Sequence, residues 1–191
     1  MRFVSFVCAV SLCVVAEAAK ASEEGLAAWS RIYHVVSHPR CANCHTGASD
    51  RPMWSGTSYG RTRPHGMNVR AGDSRIGAET LPCRTCHVTS ENTVDISAPR
   101  AAPQVQDVWR LAPPEADWFG RSTEFICAQL RDPERNGDRT VAELADHLEH
   151  DVILHWAWAP GGEREPAPYD LKSHINDLMV WGAAGQPCPQ D

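Results

Sequence analysis

Lysine is nearly missing from this 191-residue chain: Lys20 and Lys172 are the only two. Arginine carries almost all the positive charge and is outnumbered by acids, so the formal net charge is −6. No basic stripe runs along the sequence, which argues against nucleic acid as a partner. Long apolar runs are equally scarce. The single nearly unbroken one, Phe3 to Val15, is shorter than the roughly 20 residues that a helical bilayer crossing needs, and nothing later approaches it. A clear strand pattern is also missing, so strands are not expected.

What the N-terminus does have is the layout of a secretory signal. Met1-Arg2 supplies positive charge, Phe3 to Val15 an apolar stretch, and Ala16-Glu17-Ala18 the small residues around a cleavage site. Residues 1–18 are therefore expected to be a signal peptide, with the mature chain starting near Ala19. Its loss removes Arg2 and Glu17 together, so the formal charge stays at −6. The expected location is periplasmic or otherwise exported, with no stable membrane span after cleavage.

Of eight cysteines, Cys8 and Cys13 leave with the signal. Four of the rest stand in Cys41-Ala42-Asn43-Cys44-His45 and Cys83-Arg84-Thr85-Cys86-His87. Two thiols at this spacing can add to the two vinyl groups of one haem, and the next residue, His, then lies under the iron as an axial ligand. Two such pentapeptides in one exported chain predict two covalently attached haem c groups. Cys41, Cys44, Cys83 and Cys86 would anchor them, with His45 and His87 as proximal ligands. Paired Cys-x-x-Cys also occurs in zinc ribbons, but a closed zinc site needs no histidine after each pair. A thioredoxin-like site needs a βαβ pattern that this sequence lacks. Cys127 and Cys188 remain, and an even leftover pair in an oxidising compartment predicts a disulfide.

The sixth position at each iron decides the chemistry, because a second histidine lowers the potential relative to methionine and an open position admits small molecules. His38 and His65 are the favoured distal ligands, with Met67 and His147 in reserve. His155 is a further reserve ligand on the same helix as His147, Met53 and Met179 are weaker candidates, and Met179 is expected to fill core.

Residues 19–96 form the expected dihaem-attachment region, and 97–191 a helical region that packs on it, the two making one compact domain. Ser22 is read as the N-cap of a first helix with Leu26, Trp29, Tyr33 and Val36 on its apolar face, ended by Pro39. Residues 46–82 show no period and read as coil that wraps a haem. Residues 97–121 read as a Pro- and Ala-rich connector whose Trp109 and Trp118 need burial. A short helix is expected over residues 122–131, then a turn-rich loop with Asn136-Gly137. A long helix follows from Thr140, with Thr140 and Glu143 as a capping box and an apolar face of Val141, Leu144, Ala145, Leu148, Val152 and Trp156. Asp170 caps a last helix through Trp181, its apolar side being Leu171, Ile175, Leu178 and Met179. The expected fold class is mainly α with extensive coil, cytochrome c-like, wrapped around two haems.

The stretch His38 to His45, then His65, then Leu81 to His87, resembles a family of small bacterial dihaem cytochromes c. Ile126 to Pro133 and Trp156 to Gly161 resemble it too, with Ala157 where that family tends to have glycine. Members are often labelled as isoquinoline 1-oxidoreductase subunits. The resemblance implies a histidine ligand role at His147 and a molybdenum-hydroxylase type of dehydrogenase as donor, with a cytochrome or oxidase as acceptor. The expected function is single-electron transfer. The competing class is a small dihaem redox enzyme, oxidase- or peroxidase-like, with one open iron. A redox or gas sensor is a third class, though no output domain is visible.

Overall fold

The structure is a computed structural model that describes residues 22–87, 109–160 and 164–190. The expected signal peptide and residues 97–108 of the connector lie outside the described residues. Seven α-helices dominate what is described: α1 (residues 22–36), α2 (Pro39–Ala42), α3 (Thr123–Arg131), α4 (Pro133–Asn136), α5 (Val141–His150), α6 (Val152–Trp158) and α7 (Leu171–Ala183). The mainly helical expectation holds. One small ribbon was not anticipated: β1 (Met53–Trp54) pairs antiparallel with β2 (Arg63–Pro64). Strands of two residues are too short to show a period, which is why alternation did not reveal them.

α1 buries Ala28, Trp29, Ile32, Val35 and Val36, while Leu26 is exposed and Tyr33 half-buried. The buried face is thus rotated from the expected one. Gly25 explains the rotation. A Cβ there would sit 2.5 Å from the Ala184 Cβ and 2.6 Å from the Pro187 Cγ, so the C-terminal tail presses directly on that side of the helix. Trp29 stands 5.3 Å from Trp181, ring centre to ring centre, and its indole N–H donates to the Thr123 hydroxyl at 2.7 Å. Arg31 grips Asp177 of α7 through Nε and Nη2, the shortest contact being 2.6 Å. The core therefore joins α1 to α3 and α7, with Ile126, Leu130, Leu178 and Trp181 opposite Ile32. Burying a side chain such as Ile32 contributes about 1.5–3 kcal/mol. The Cys127–Cys188 disulfide, as expected, fastens α3 to the tail, with Cα atoms 5.7 Å apart.

Several helix ends follow the local signals. Ser122 caps α3 through the Phe125 N–H, Asp170 caps α7 through the Ser173 N–H, and the Thr140–Glu143 capping box is complete in both directions. Two expectations are corrected. The loop after α3 holds the one-turn helix α4, capped by Asp132 and closed by Gly137 in the left-handed conformation. The long helix is broken at Asp151. This residue is extended, and its carboxylate accepts from the N–H groups of Ile153 and Leu154 to start α6 afresh. The break turns His155 outward, where it is exposed and bonded to the Glu149 carbonyl. Met179 is likewise 47% exposed rather than core, because α7 turns His174, Asp177, Leu178 and Trp181 inward. Among the described residues no helix is long and apolar enough to cross a membrane.

Candidate functional site

The two pentapeptides fold into the same turn although their flanks differ. At the first, the N–H groups of Cys44 and His45 both donate to the Cys41 carbonyl, at 3.1 and 3.3 Å; at the second, those of Cys86 and His87 donate to the Cys83 carbonyl, at 3.2 and 3.0 Å. In each case one turn gathers two thiols and an imidazole. All four cysteines are free thiols. Burial pushes Cys41 up to about 12 and Cys44 up to about 11, so both are protonated and unreactive as they stand. Cys83 is raised as well, again by burial. The Cys83 thiol lies close enough to Cys44 for a charge on one to oppose a charge on the other. The fold thus brings together two motifs that are distant in sequence.

Backbone hydrogen bonds achieve this, not a second apolar core. Met53 N–H reaches the Asn43 carbonyl, His65 N–H the Pro52 carbonyl, Ala71 N–H the Asp50 carbonyl and Cys83 N–H the Ile76 carbonyl. Arg75 is the fastener. Only 8% exposed, it spends its guanidinium on the carbonyls of Gly47, Ser49 and Ala112, and its own carbonyl accepts from Leu111. The segment expected to wrap a cofactor is therefore ordered by hydrogen bonds of its own. Arg40, beside the first motif, is buried between Glu165, whose carbonyl accepts from Nε at 2.7 Å, and the Trp156 ring 4.8 Å away. Nothing in the sequence marks Arg40 or Arg75 as special among the arginines.

His45 and His87 are both half-buried, and Nδ1 of each is buried without a well-formed hydrogen bond. Burial lowers His45 to about 3, with the Ala116 backbone offsetting part of the drop. Burial also lowers His87 to about 4. Both rings are neutral at physiological pH, as a metal-binding imidazole must be. Each meets a tryptophan from the connector. Trp118 stacks face to face on His45 at 3.5 Å between ring centres and 1° between planes, and Trp109 meets His87 edge-on at 4.6 Å and 83°. The expected burial of these tryptophans is thus against the motif histidines.

The distal candidates separate. The His65 ring lies 6.3 Å from that of His87, and its Nδ1 bonds to the Gly66 carbonyl at 3.0 Å. As the donor, Nδ1 carries the proton, which leaves Nε2 with a free lone pair. His65 is thus the imidazole that stands beside the motif histidine of the second site. His147 lies near enough to His45 to oppose its protonation. Its Nδ1 faces Asp151 at 3.8 Å, again leaving Nε2 for another partner. His38 differs, because its Nδ1 accepts from the Arg40 N–H at 3.3 Å and caps α2. An accepting Nδ1 places the neutral ring's proton on Nε2, the nitrogen that a ligand would need free. Met67, in a left-handed conformation, is 77% exposed.

Among the described residues no group of three or more His, Cys, Asp or Glu side chains is arranged to hold a metal ion. A zinc ribbon requires such a group; a haem iron, already held by its macrocycle, takes only one or two protein ligands. Paired free thiols, neutral half-buried imidazoles, and a second imidazole near each are together a donor set that fits covalent haem. A cleft of about 380 Å³ beside the first motif is lined by Thr46, Ala48, Ser49, Met53, Asp117, Phe119 and Arg121; none of the thiols or motif histidines opens into it. Comparison with known proteins finds no matching family model, no matching curated protein and no matching solved structure.

Proposed function

We propose that this protein is an exported c-type cytochrome that carries single electrons on two haems, of the small bacterial dihaem kind that its motifs resemble. The observation that carries the reading is the shared turn at residues 41–45 and 83–87, each with two free thiols and a neutral imidazole. Cys41 and Cys44 would hold one haem and Cys83 and Cys86 the other, with His45 and His87 as proximal ligands. His65 is the distal ligand at the second site and His147 at the first; His38 is set aside because its Nδ1 caps α2. When bound, each haem supplies a one-electron iron couple.

The chain's own residues hold the two sites close. Thiol burial is greater at the first motif than at the second, where Cys86 is exposed. The second site is therefore the one nearer to solvent and to a redox partner. The proposed donor is a dehydrogenase of the molybdenum-hydroxylase type, and the acceptor another cytochrome or an oxidase. A second imidazole beside each motif histidine favours a carrier over an enzyme with an open iron. A pyridine haemochrome assay on protein matured in a c-type-haem-competent host tests this. Two haems c per chain, both low-spin and indifferent to carbon monoxide, are expected. No c-type haem would overturn the reading, and a high-spin haem that turns over peroxide would replace it with the enzyme.

A further inference from the structure

We infer that Trp118 is a positioning residue that fixes the rotation of the His45 imidazole and so makes the two haem sites electronically unequal. This rests on the haem reading above. A ligating imidazole is usually held in its plane by a hydrogen bond from the nitrogen that does not bind the metal. In His45 that nitrogen, Nδ1, is buried without a well-formed hydrogen bond, and the Ala116 backbone is its only polar neighbour among the described residues to favour the protonated ring. The ring is instead held by the Trp118 indole, stacked 3.5 Å away and 1° from parallel. The backbone is held by the same place in the chain, because the N–H groups of Trp118 and Phe119 both donate to the His45 carbonyl, at 2.9 and 3.0 Å. Thr46 and Asp117 form an antiparallel bridge alongside.

The clamp is itself anchored. Trp118 Nε1–H donates to Gln129 Oε1 at 2.8 Å. Gln129 is fully buried on α3, and its amide N–H donates to the Arg135 carbonyl at 2.7 Å. Rotation of His45 thus has to disturb a stack, an indole hydrogen bond and a buried amide. Among the described residues His87 has no equivalent stack. Trp109 touches it edge-on, and the Trp109 indole N–H is buried without a partner. An imidazole plane sets the direction in which the ring donates π density to iron. Fixing one plane and not the other separates the two sites in g-anisotropy and potential, through an outer partner that orients a ligand.

Low-temperature electron paramagnetic resonance and a potentiometric titration of the dihaem protein test this with Trp118→Leu and Trp118→Phe. With Trp118→Leu, one of the two low-spin signals should broaden and shift, and one midpoint potential should move, while the other haem stays put. Trp118→Phe, which can still stack, should restore most of the wild-type signal. Gln129→Met, which frees the indole but keeps the ring, should move the same signal less and serves if Trp118→Leu does not fold. Unchanged signals, or equal movement at both haems, would overturn the inference and leave Trp118 a packing residue. Absence of haem c from the wild type would instead be a failure of the haem reading, and the two failures are distinguishable.

Discussion

The imidazoles of His65 and His87 stand 6.3 Å apart, centre to centre, with their planes 43° from each other. His65 is carried by the loop that leaves β2, and its ring also packs on Trp54 of β1 at 4.8 Å. The small ribbon thus aims a loop histidine at the second motif. Replacing His65 by Ala should leave both thioether attachments intact but convert one haem to a carbon-monoxide-binding form, read in the reduced spectrum. His147→Ala should do the same to the other haem. His38→Ala should open neither and should instead cost about 1 kcal/mol of stability, the usual value of a lost N-cap. A carbon-monoxide complex in His38→Ala would reverse the distal assignment.

The Cys127–Cys188 disulfide closes a loop of 61 residues that contains α4, α5, α6 and α7. Such a closure restricts the unfolded chain and contributes about 3–4 kcal/mol. The Cys127→Ser/Cys188→Ser protein should lose that much in denaturant unfolding while keeping its haem content, because neither cysteine belongs to a motif. Loss of haem in this variant would mean that the disulfide shapes the sites as well.

His174 is buried on α7, its Nδ1 without a partner, and burial lowers it to about 4 from an ordinary 6.5, with Asp177 acting weakly in the other direction. The unfolded chain therefore takes up a proton there before the folded one does. The stability from this group is complete above pH 6.5 and declines as the pH falls toward about 4, by about 3 kcal/mol in all. His174→Leu should flatten this part of the pH–stability curve. An unaltered slope in the variant would place the acid sensitivity elsewhere.

Asp151 separates α5 from α6 and caps the second of them. Asp151→Ala should cost about 1 kcal/mol and, by removing the carboxylate that faces His147 Nδ1, should also perturb the first haem if His147 ligates it as proposed. Measurement of thermal stability together with the low-spin signals separates the two effects. A stability loss with both haem signals unchanged would show that Asp151 is only a cap.

The sequence by itself determined whatever is local. The two pentapeptides, the Asp170 cap, the Thr140–Glu143 box and the leftover pair Cys127 and Cys188 are signals written within a few residues or in simple counting, and the structure has the cap, the box and the bond. Tertiary structure alone decided which face of α1 is buried, since the tail pressing on Gly25 sets it, and where the long helix breaks. It alone decided that His65 meets His87, that His147 approaches His45, and that Trp109 and Trp118 close on the two motif histidines. The meeting of His65 with His87 runs through residues 46–82, whose path is fixed by single backbone hydrogen bonds and by Arg75. Such bonds have no period and draw on no particular residue type, so they leave no pattern to read until the chain has folded.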